Sequence, residues 1–295
     1  MKLRPLNGQS VIEKAAALAT AGGFQLYAVG GCARDWALGL AGSDIDFLVG
    51  ADASEAAAAL ASEFGGRWEK FGRFQTVRYF PAAGGRLDFA RFRKEIYARP
   101  AALPETEPAA TAEEDLLRRD FACNAMAVRL DGPDPYDLLD PYGGLADVKA
   151  GLVRVLHPRS FEDDPTRLYR AARFAGRFGW RLEARTAGLA SAAVSAGLPG
   201  LLSRERLRNE LVKLLAEKDP KPALDLLAEL GALRFIHPRL AYGGSALAAA
   251  GARERLAGIA REMGADGADF VSGLRLSRRE SADLLALAGL GRRRV

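Results

Sequence analysis

Strand signals are confined to the first 136 residues of this 295-residue chain, and the remaining residues read as helix. That asymmetry calls for a mixed α/β part followed by an all-helical part. Val11 to Thr20 is an Ala-rich helical run stopped by Gly22-Gly23. Phe24 to Val29 is a short apolar strand ending in Gly30-Gly31, and a second helix signal comes after it. Ile45 to Val49 reads as a strand and Ser54 to Phe64 as a helix. Thr76 to Phe80 and Arg86 to Phe92 alternate as two strands joined across Ala82-Ala83-Gly84-Gly85. From Arg99 to Thr111 the chain is Pro, Ala, Glu and Thr without apolar periodicity, which predicts a mobile surface loop serving as a linker or a lid. Past a turn-rich boundary at Asp140-Pro141-Tyr142-Gly143-Gly144, consecutive helices are expected over Asp164 to Phe178, Ser203 to Ala216, Ala223 to Leu230, Ala246 to Met263 and Ser277 to Leu287.

A chain of this length, 49% hydrophobic and 27% charged, has enough apolar surface for about two domains without metal or disulfide support. Cys32 and Cys123 are too few for a disulfide framework, and with only His157 and His237 beside them no Cys/His zinc site can be assembled. Both cysteines read as small buried hydrophobes. No stretch approaches the roughly 20 apolar residues of a spanning helix, and the N-terminus carries no export signal, so a cytoplasmic protein with no membrane partner is expected. The net charge of +5 is uneven. Between Arg154 and Lys213 there are 12 Lys/Arg against 6 Asp/Glu, so this middle region suits a polyanionic partner.

The chemistry concentrates in Gly30-Gly31-Cys32-Ala33-Arg34-Asp35, followed at short range by Asp44-Ile45-Asp46 at the start of a strand. Glycines between a strand and a helix let backbone N–H groups approach a triphosphate, and Arg34 can add a charge-assisted contact. Strand alternation puts Asp44 and Asp46 on one face, where two carboxylates can hold Mg²⁺ ions in a two-metal site. Asp88, on a neighbouring predicted strand, is the candidate third carboxylate. Taken separately, the glycines could form a plain turn and the aspartates a solvated loop.

In this order the features resemble the signature of nucleotidyltransferases related to DNA polymerase β. Arg118-Arg119-Asp120-Phe121-Ala122-Cys123-Asn124-Ala125-Met126-Ala127 is similar to a motif of the class II tRNA nucleotidyltransferases (CCA-adding enzymes) and bacterial poly(A) polymerases. Asp140-Pro141-Tyr142-Gly143-Gly144 with Asp147 resembles that family's hinge. Asp163-Asp164-Pro165-Thr166-Arg167, then Arg170 and Arg173-Phe174-Ala175, resembles its Glu-Asp-x-x-Arg helix, with Asp163 in place of the Glu. Glu205-Arg206-Leu207 to Leu215 matches its last neck motif. The resemblance covers roughly Leu26 to Leu215.

It implies an α+β chain: a polymerase β-like nucleotidyltransferase head over 1–137, a helical neck selecting nucleotides over 138–220, and a short helical RNA-binding body over 221–295. Many members of the family continue further, into a longer body and tail. The implied activity is template-independent addition of CMP and AMP, from CTP and ATP, to the 3′ end of tRNA. A-only or CC-only addition, poly(A) synthesis and an inactive RNA-binding module are the alternatives. Asp44, Asp46 and Asp88 would hold Mg²⁺. Gly30, Gly31, Arg34, Asp35, Arg119, Asp120 and Asn124 would bind the nucleotide, with Asp120 accepting from the ribose 2′-OH. Asp164 and Arg167, three apart on one predicted helix, would pair with the Watson–Crick edges of cytosine and adenine or else form a surface ion pair. Arg170 and Arg173 would extend the nucleotide site. Arg177 fits a solvated face equally well, and the terminal arginines Arg292, Arg293 and Arg294 either touch phosphates or fray. Oligomeric state is not legible.

Overall fold

The computed structural model describes residues 1–42, 45–71, 76–82 and 86–291. The chain divides into two compact units, the first comprising Met1–Ala98 and Pro104–Leu156, the second Arg99–Leu103 and His157–Val295.

In the first unit the order is α1 (Gln9–Gly22), β1 (Leu26–Val29), α2 (Gly31–Ala37), β2 (Asp46–Val49), α3 (Ala53–Phe64), β3 (Arg67–Phe71), β4 (Thr76–Phe80) and β5 (Leu87–Arg91). Then come β6 (Arg93–Ile96), β7 (Glu105–Pro108), α4 (Ala112–Leu117), a 3-10 turn at Ala122–Asn124, β8 (Ala127–Arg129), β9 (Leu138–Leu139), α5 (Gly144–Ala150) and β10 (Leu152–Val153). Seven strands form one sheet in the order β3-β4-β5-β2-β1-β8-β9. Among the described residues of this sheet only the β2–β5 pair is parallel, and its register sets Asp46 beside Asp88.

Period-two alternation gives this sheet two apolar faces. Phe47 and Phe89 stack at 4.8 Å on one face, and α1 and α3 cover it with Ile12, Ala15, Ala19, Ala57 and Leu60. Tyr27, Val29 and Leu48 point to the other face, against Phe92, Ala112 and Leu116. Asp46 shares that second face with Leu48, two residues along the strand, and lies across from Val29.

In the second unit the order is α6 (Ser160–Asp163), α7 (Thr166–Phe178), β11 (Arg181–Leu182), α8 (Ala184–Ser195) and α9 (Arg204–Leu215). It continues with α10 (Lys221–Glu229), α11 (Gly244–Leu247), α12 (Ala252–Glu262), α13 (Gly267–Gly273) and α14 (Arg278–Ala288). α7 packs on α9 and α10, and α12 on α9, α11 and α14. The buried Arg255 guanidinium ties this bundle internally, donating to the carbonyls of Leu215, Glu217, Lys218, Leu247 and Ala249.

The structure departs from the expected elements in several places. Strands do not end at Tyr136, since β9 joins the sheet and β10 and β11 come later; two-residue strands are too short for alternation to register. The segment expected as a mobile loop contains β7, which pairs with β6 as a two-stranded ribbon whose backbone bonding needs no apolar pattern. The single helix expected over Ala246 to Met263 is two, divided before the N-cap Gly251. The helix expected from Asp164 begins at Thr166, because Pro165 drives the residue before it out of the helical region.

Candidate nucleotide and metal site

In the first unit the site grows from the end of β1. Gly30 has φ 72° and ψ −120°, a conformation closed to residues with a side chain, and it turns the chain from strand into α2. A Cβ at Gly30 would lie 2.6 Å from Nη1 of Arg119, so the missing side chain is what admits that guanidinium. Arg119 donates to Asp115 at 3.3 Å, while its buried Nε has no hydrogen-bond partner among the described residues. Burial pushes Arg119 below the ordinary arginine range, against the pull of Asp115.

Asp115 is a fully buried carboxylate at the centre of a cationic cluster. It accepts from the Arg93 backbone at 3.1 Å, from Arg118 Nε at 2.9 Å and Nη2 at 3.2 Å, and from Arg119. Glu95 accepts from Arg118 at 3.0 Å and lies 3.8 Å from Arg93. Two carboxylates thus face three guanidinium groups, and Arg93, desolvated beside Arg118, is lowered to about 10.

A second network joins the two sequence motifs. Arg34, only 4% exposed, donates to Asp35 Oδ1 through Nε at 3.0 Å and Nη2 at 2.7 Å, and to Asn124 Oδ1 at 2.6 Å. Asn124 Nδ2 in turn donates to Asp120 Oδ1 at 3.0 Å. Asp140 caps α5 by accepting from Gly144 N at 2.6 Å and Leu145 N at 2.9 Å. Gly144 is required there, because a Cβ would fall 2.1 Å from the Ala122 carbonyl beneath it. Cys32 and Cys123 are buried, which pushes each thiol up to about 12 and removes nucleophilic character at neutral pH.

Directly paired residues on adjacent strands project to the same face, so Asp46 and Asp88 are neighbouring carboxylates. Their hard oxygen donors fit a magnesium-type ion. Asp88 is matched by Arg78, at 2.9 Å and 3.4 Å, and by Arg86 at 3.6 Å. Asp44 lies outside the described residues, and among those described no group of three or more His, Cys, Asp or Glu gathers as a metal site.

In the second unit Asp164 sits between α6 and α7 with φ −137° and ψ 94°. Its Oδ1 accepts from Thr166 N at 2.9 Å, Thr166 Oγ1 at 2.6 Å and Arg206 Nη2 at 2.7 Å. Arg167 is buried and donates to Ser160 Oγ at 2.8 Å. Asp163 faces Arg159 at 3.4 Å and His157 at 3.9 Å. Arg173 pairs with Glu217 at 3.1 Å, and Arg177 approaches the same carboxylate at 3.9 Å. Arg170 lies over the Phe174 ring at 5.8 Å.

Residues 26–154 match the model of the poly A polymerase head domain, and residues 201–243 match the model of the probable RNA and SrmB binding site of polymerase A. The chain is 31% identical to a solved tRNA nucleotidyltransferase complexed with a primer tRNA and an incoming ATP analog, covering 94% of this chain and 80% of that one at a TM-score of 0.71. The chain belongs to the tRNA nucleotidyltransferase and poly(A) polymerase family. Within that family it is 40% identical over 215 residues to an A-adding tRNA nucleotidyltransferase of Geobacter sulfurreducens, covering 73% of this chain and 24% of the relative. It is also 40% identical over 209 residues to the A-adding tRNA nucleotidyltransferase of Halalkalibacterium halodurans, covering 70% of this chain and 49% of the relative. The chain therefore spans about a quarter to a half of the length of these curated relatives.

For this member of the family, the structure brings Gly30, Gly31, Arg34, Asp35, Arg119, Asp120 and Asn124 into one unit around the β1–α2 turn, with Asp46 and Asp88 on the adjoining strands. It turns Arg34 inward, where it donates to Asn124. Asp164 and Arg167 do not share a helix as expected, because Asp164 precedes α7. Two residues were not expected: Asp115, beside Arg119 in the first unit, and Arg206, beside Asp164 in the second. Asp115 has no sequence signal beyond its place one turn before Arg118-Arg119, whereas Arg206 lies inside the Glu205-Arg206-Leu207 motif.

Proposed function

We propose that the chain transfers nucleotides from CTP and ATP to the 3′ end of tRNA, building or repairing the CCA end in the cytoplasm. The observation that carries this reading is the convergence at the end of β1 of the in-register pair Asp46 and Asp88 with the Gly30-held guanidinium of Arg119. Acidic metal ligands beside a cationic, glycine-opened turn match the two ends of a nucleoside triphosphate reaction.

Asp44, Asp46 and Asp88 would hold divalent ions, which when bound supply charge neutralisation at the attacking and leaving oxygens of an in-line displacement. Arg119 matches phosphate charge, and the buried Asp115 carboxylate keeps that guanidinium in place. Asp120 accepts from the ribose, and Asn124, fixed by Arg34, orients Asp120. Asp164 accepts from the exocyclic amino group of the base and Arg167 donates to the adjacent ring nitrogen, so the protein itself takes the place of a template. Arg170 and Arg173 extend the nucleotide-binding helix. The reading keeps a catalytic head over 1–137, a selecting neck over 138–220 and an RNA-binding body over 221–295.

A narrower second reading, addition of A only, is supported by the names of the two curated relatives, both A-adding enzymes. The test is incubation with Mg²⁺ and tRNA transcripts ending before CCA, after the first C and after CC, with each nucleotide alone and together. Extension of all three to CCA supports full addition. Growth only from the CC end with ATP supports the narrower reading, and an unlimited A ladder supports poly(A) synthesis. No incorporation, or incorporation that survives Asp46→Ala, overturns the proposal.

A further inference from the structure

Among the described residues, every hydrogen bond to the Asp164 carboxylate lands on one of its two oxygens. Oδ1 takes the Thr166 amide, the Thr166 hydroxyl and the Arg206 guanidinium at 2.9, 2.6 and 2.7 Å, whereas Oδ2 takes none among the described residues. A carboxylate has about four lone-pair sites over two oxygens, so three donors saturate Oδ1 and leave the acceptor capacity on Oδ2. Neither side-chain donor is a loose arm. Thr166 is the first residue of α7, and Arg206 is held at its other end by donating to the Ala101 carbonyl at 2.9 Å. Pro165 sets Asp164 in extended backbone, which folds the carboxylate back over the first turn of α7.

We infer that Thr166 and Arg206 are positioning residues for base selection: they lock the Asp164 carboxylate so that Oδ2 alone meets the incoming base. This rests on the reading of Asp164 given above. A carboxylate free to rotate could turn away from a keto base or admit a bridging water. A locked one presents an anionic oxygen to whatever stands at that edge. Adenine and cytosine bring an amino hydrogen to it, and guanine and uracil bring a carbonyl oxygen, which is repelled. Discrimination thus depends on the lock as well as on the charge. A mere helix cap would use the same Thr166 and Asp164 atoms, but its removal would lower stability without altering the choice of base.

The experiment measures kcat/KM for ATP and for GTP on a tRNA transcript ending in CC, for the unaltered chain, Thr166→Val, Thr166→Ser and Arg206→Gln, with melting temperatures alongside. Thr166→Val keeps the volume and removes one charge-assisted donor, so the preference for ATP over GTP is expected to fall about tenfold. Thr166→Ser, which keeps the hydroxyl, restores it, and Arg206→Gln lowers it at least as far as Thr166→Val. Unchanged preference in Thr166→Val, even with a lower melting temperature, overturns the inference, as does a Thr166→Ser variant no better than valine. Failure of the unaltered chain to incorporate ATP, or to prefer it over GTP, removes the parent reading and this inference together. Loss confined to the variants' pattern removes this inference alone.

Discussion

Asp115→Asn tests the cationic cluster most directly. The native carboxylate has no exposed surface and accepts four hydrogen bonds, one from the Arg93 backbone, two from Arg118 and one from Arg119. Asparagine keeps the shape but replaces one acceptor oxygen by an amide that points hydrogens at guanidinium groups. The local charge, already three arginines against Asp115 and Glu95, rises by one more unit of unopposed positive charge in a desolvated setting. Removing one partner of such a buried network costs about 3–5 kcal/mol. At about 2–4 °C per kcal/mol for a unit of this size, the melting temperature should fall by about 6–20 °C. Differential scanning calorimetry reads this directly. Inorganic triphosphate, added at saturating concentration, should recover part of the loss by binding the released arginines. A drop under about 1 kcal/mol would refute the account, since it would mean the arginines find other partners at no cost.

Three further outcomes are expected. Gly30→Ala should raise the KM for ATP at least tenfold while costing about 1–3 kcal/mol in stability, since the backbone there excludes a side chain and the new Cβ would displace Arg119; an unchanged KM would show that Arg119 does not bind nucleotide. Burial, with the Arg167 charge second, holds the His157 imidazole below its ordinary value. The unfolded chain therefore binds that proton more readily, so stability falls as pH drops below about 6.5, and His157→Gln should show a smaller fall in melting temperature between pH 7 and pH 5. Cys32 and Cys123 should resist iodoacetamide in the native protein and both react in urea, as read by mass spectrometry; rapid native labelling of either would contradict its burial.

How far each segment is legible in the sequence depends on what holds it in place. β1, β2, β4 and β5 announce themselves because each packs an apolar face, and the alternation that buries Phe47 and Phe89 also aligns Asp46 with Asp88. β6 and β7 are silent, since a two-stranded ribbon whose eight residues include a single apolar side chain besides proline, Ile96, is held by backbone bonds that leave no alternating apolar pattern. The break at Asp164 is legible in the Asp164-Pro165 dipeptide, a helix-start signal masked by the apolar spacing on either side of it. The partnership of Asp164 with Arg206 joins residues 42 apart in sequence, and no local pattern encodes it.

The brief detour of Arg99–Leu103 into the second unit has a consequence for how this protein can be inherited. Ala101 donates its amide to the Glu162 carbonyl and lends its own carbonyl to Arg206, and its φ of 59° is a posture an alanine holds only under such restraint. A gene fragment ending at Leu156 would encode every strand of the large sheet yet leave these five residues stranded from the partners that shape them. Recombination at that seam would produce a sheet with a dangling stitch, so the two units are expected to travel through evolution as one heritable block.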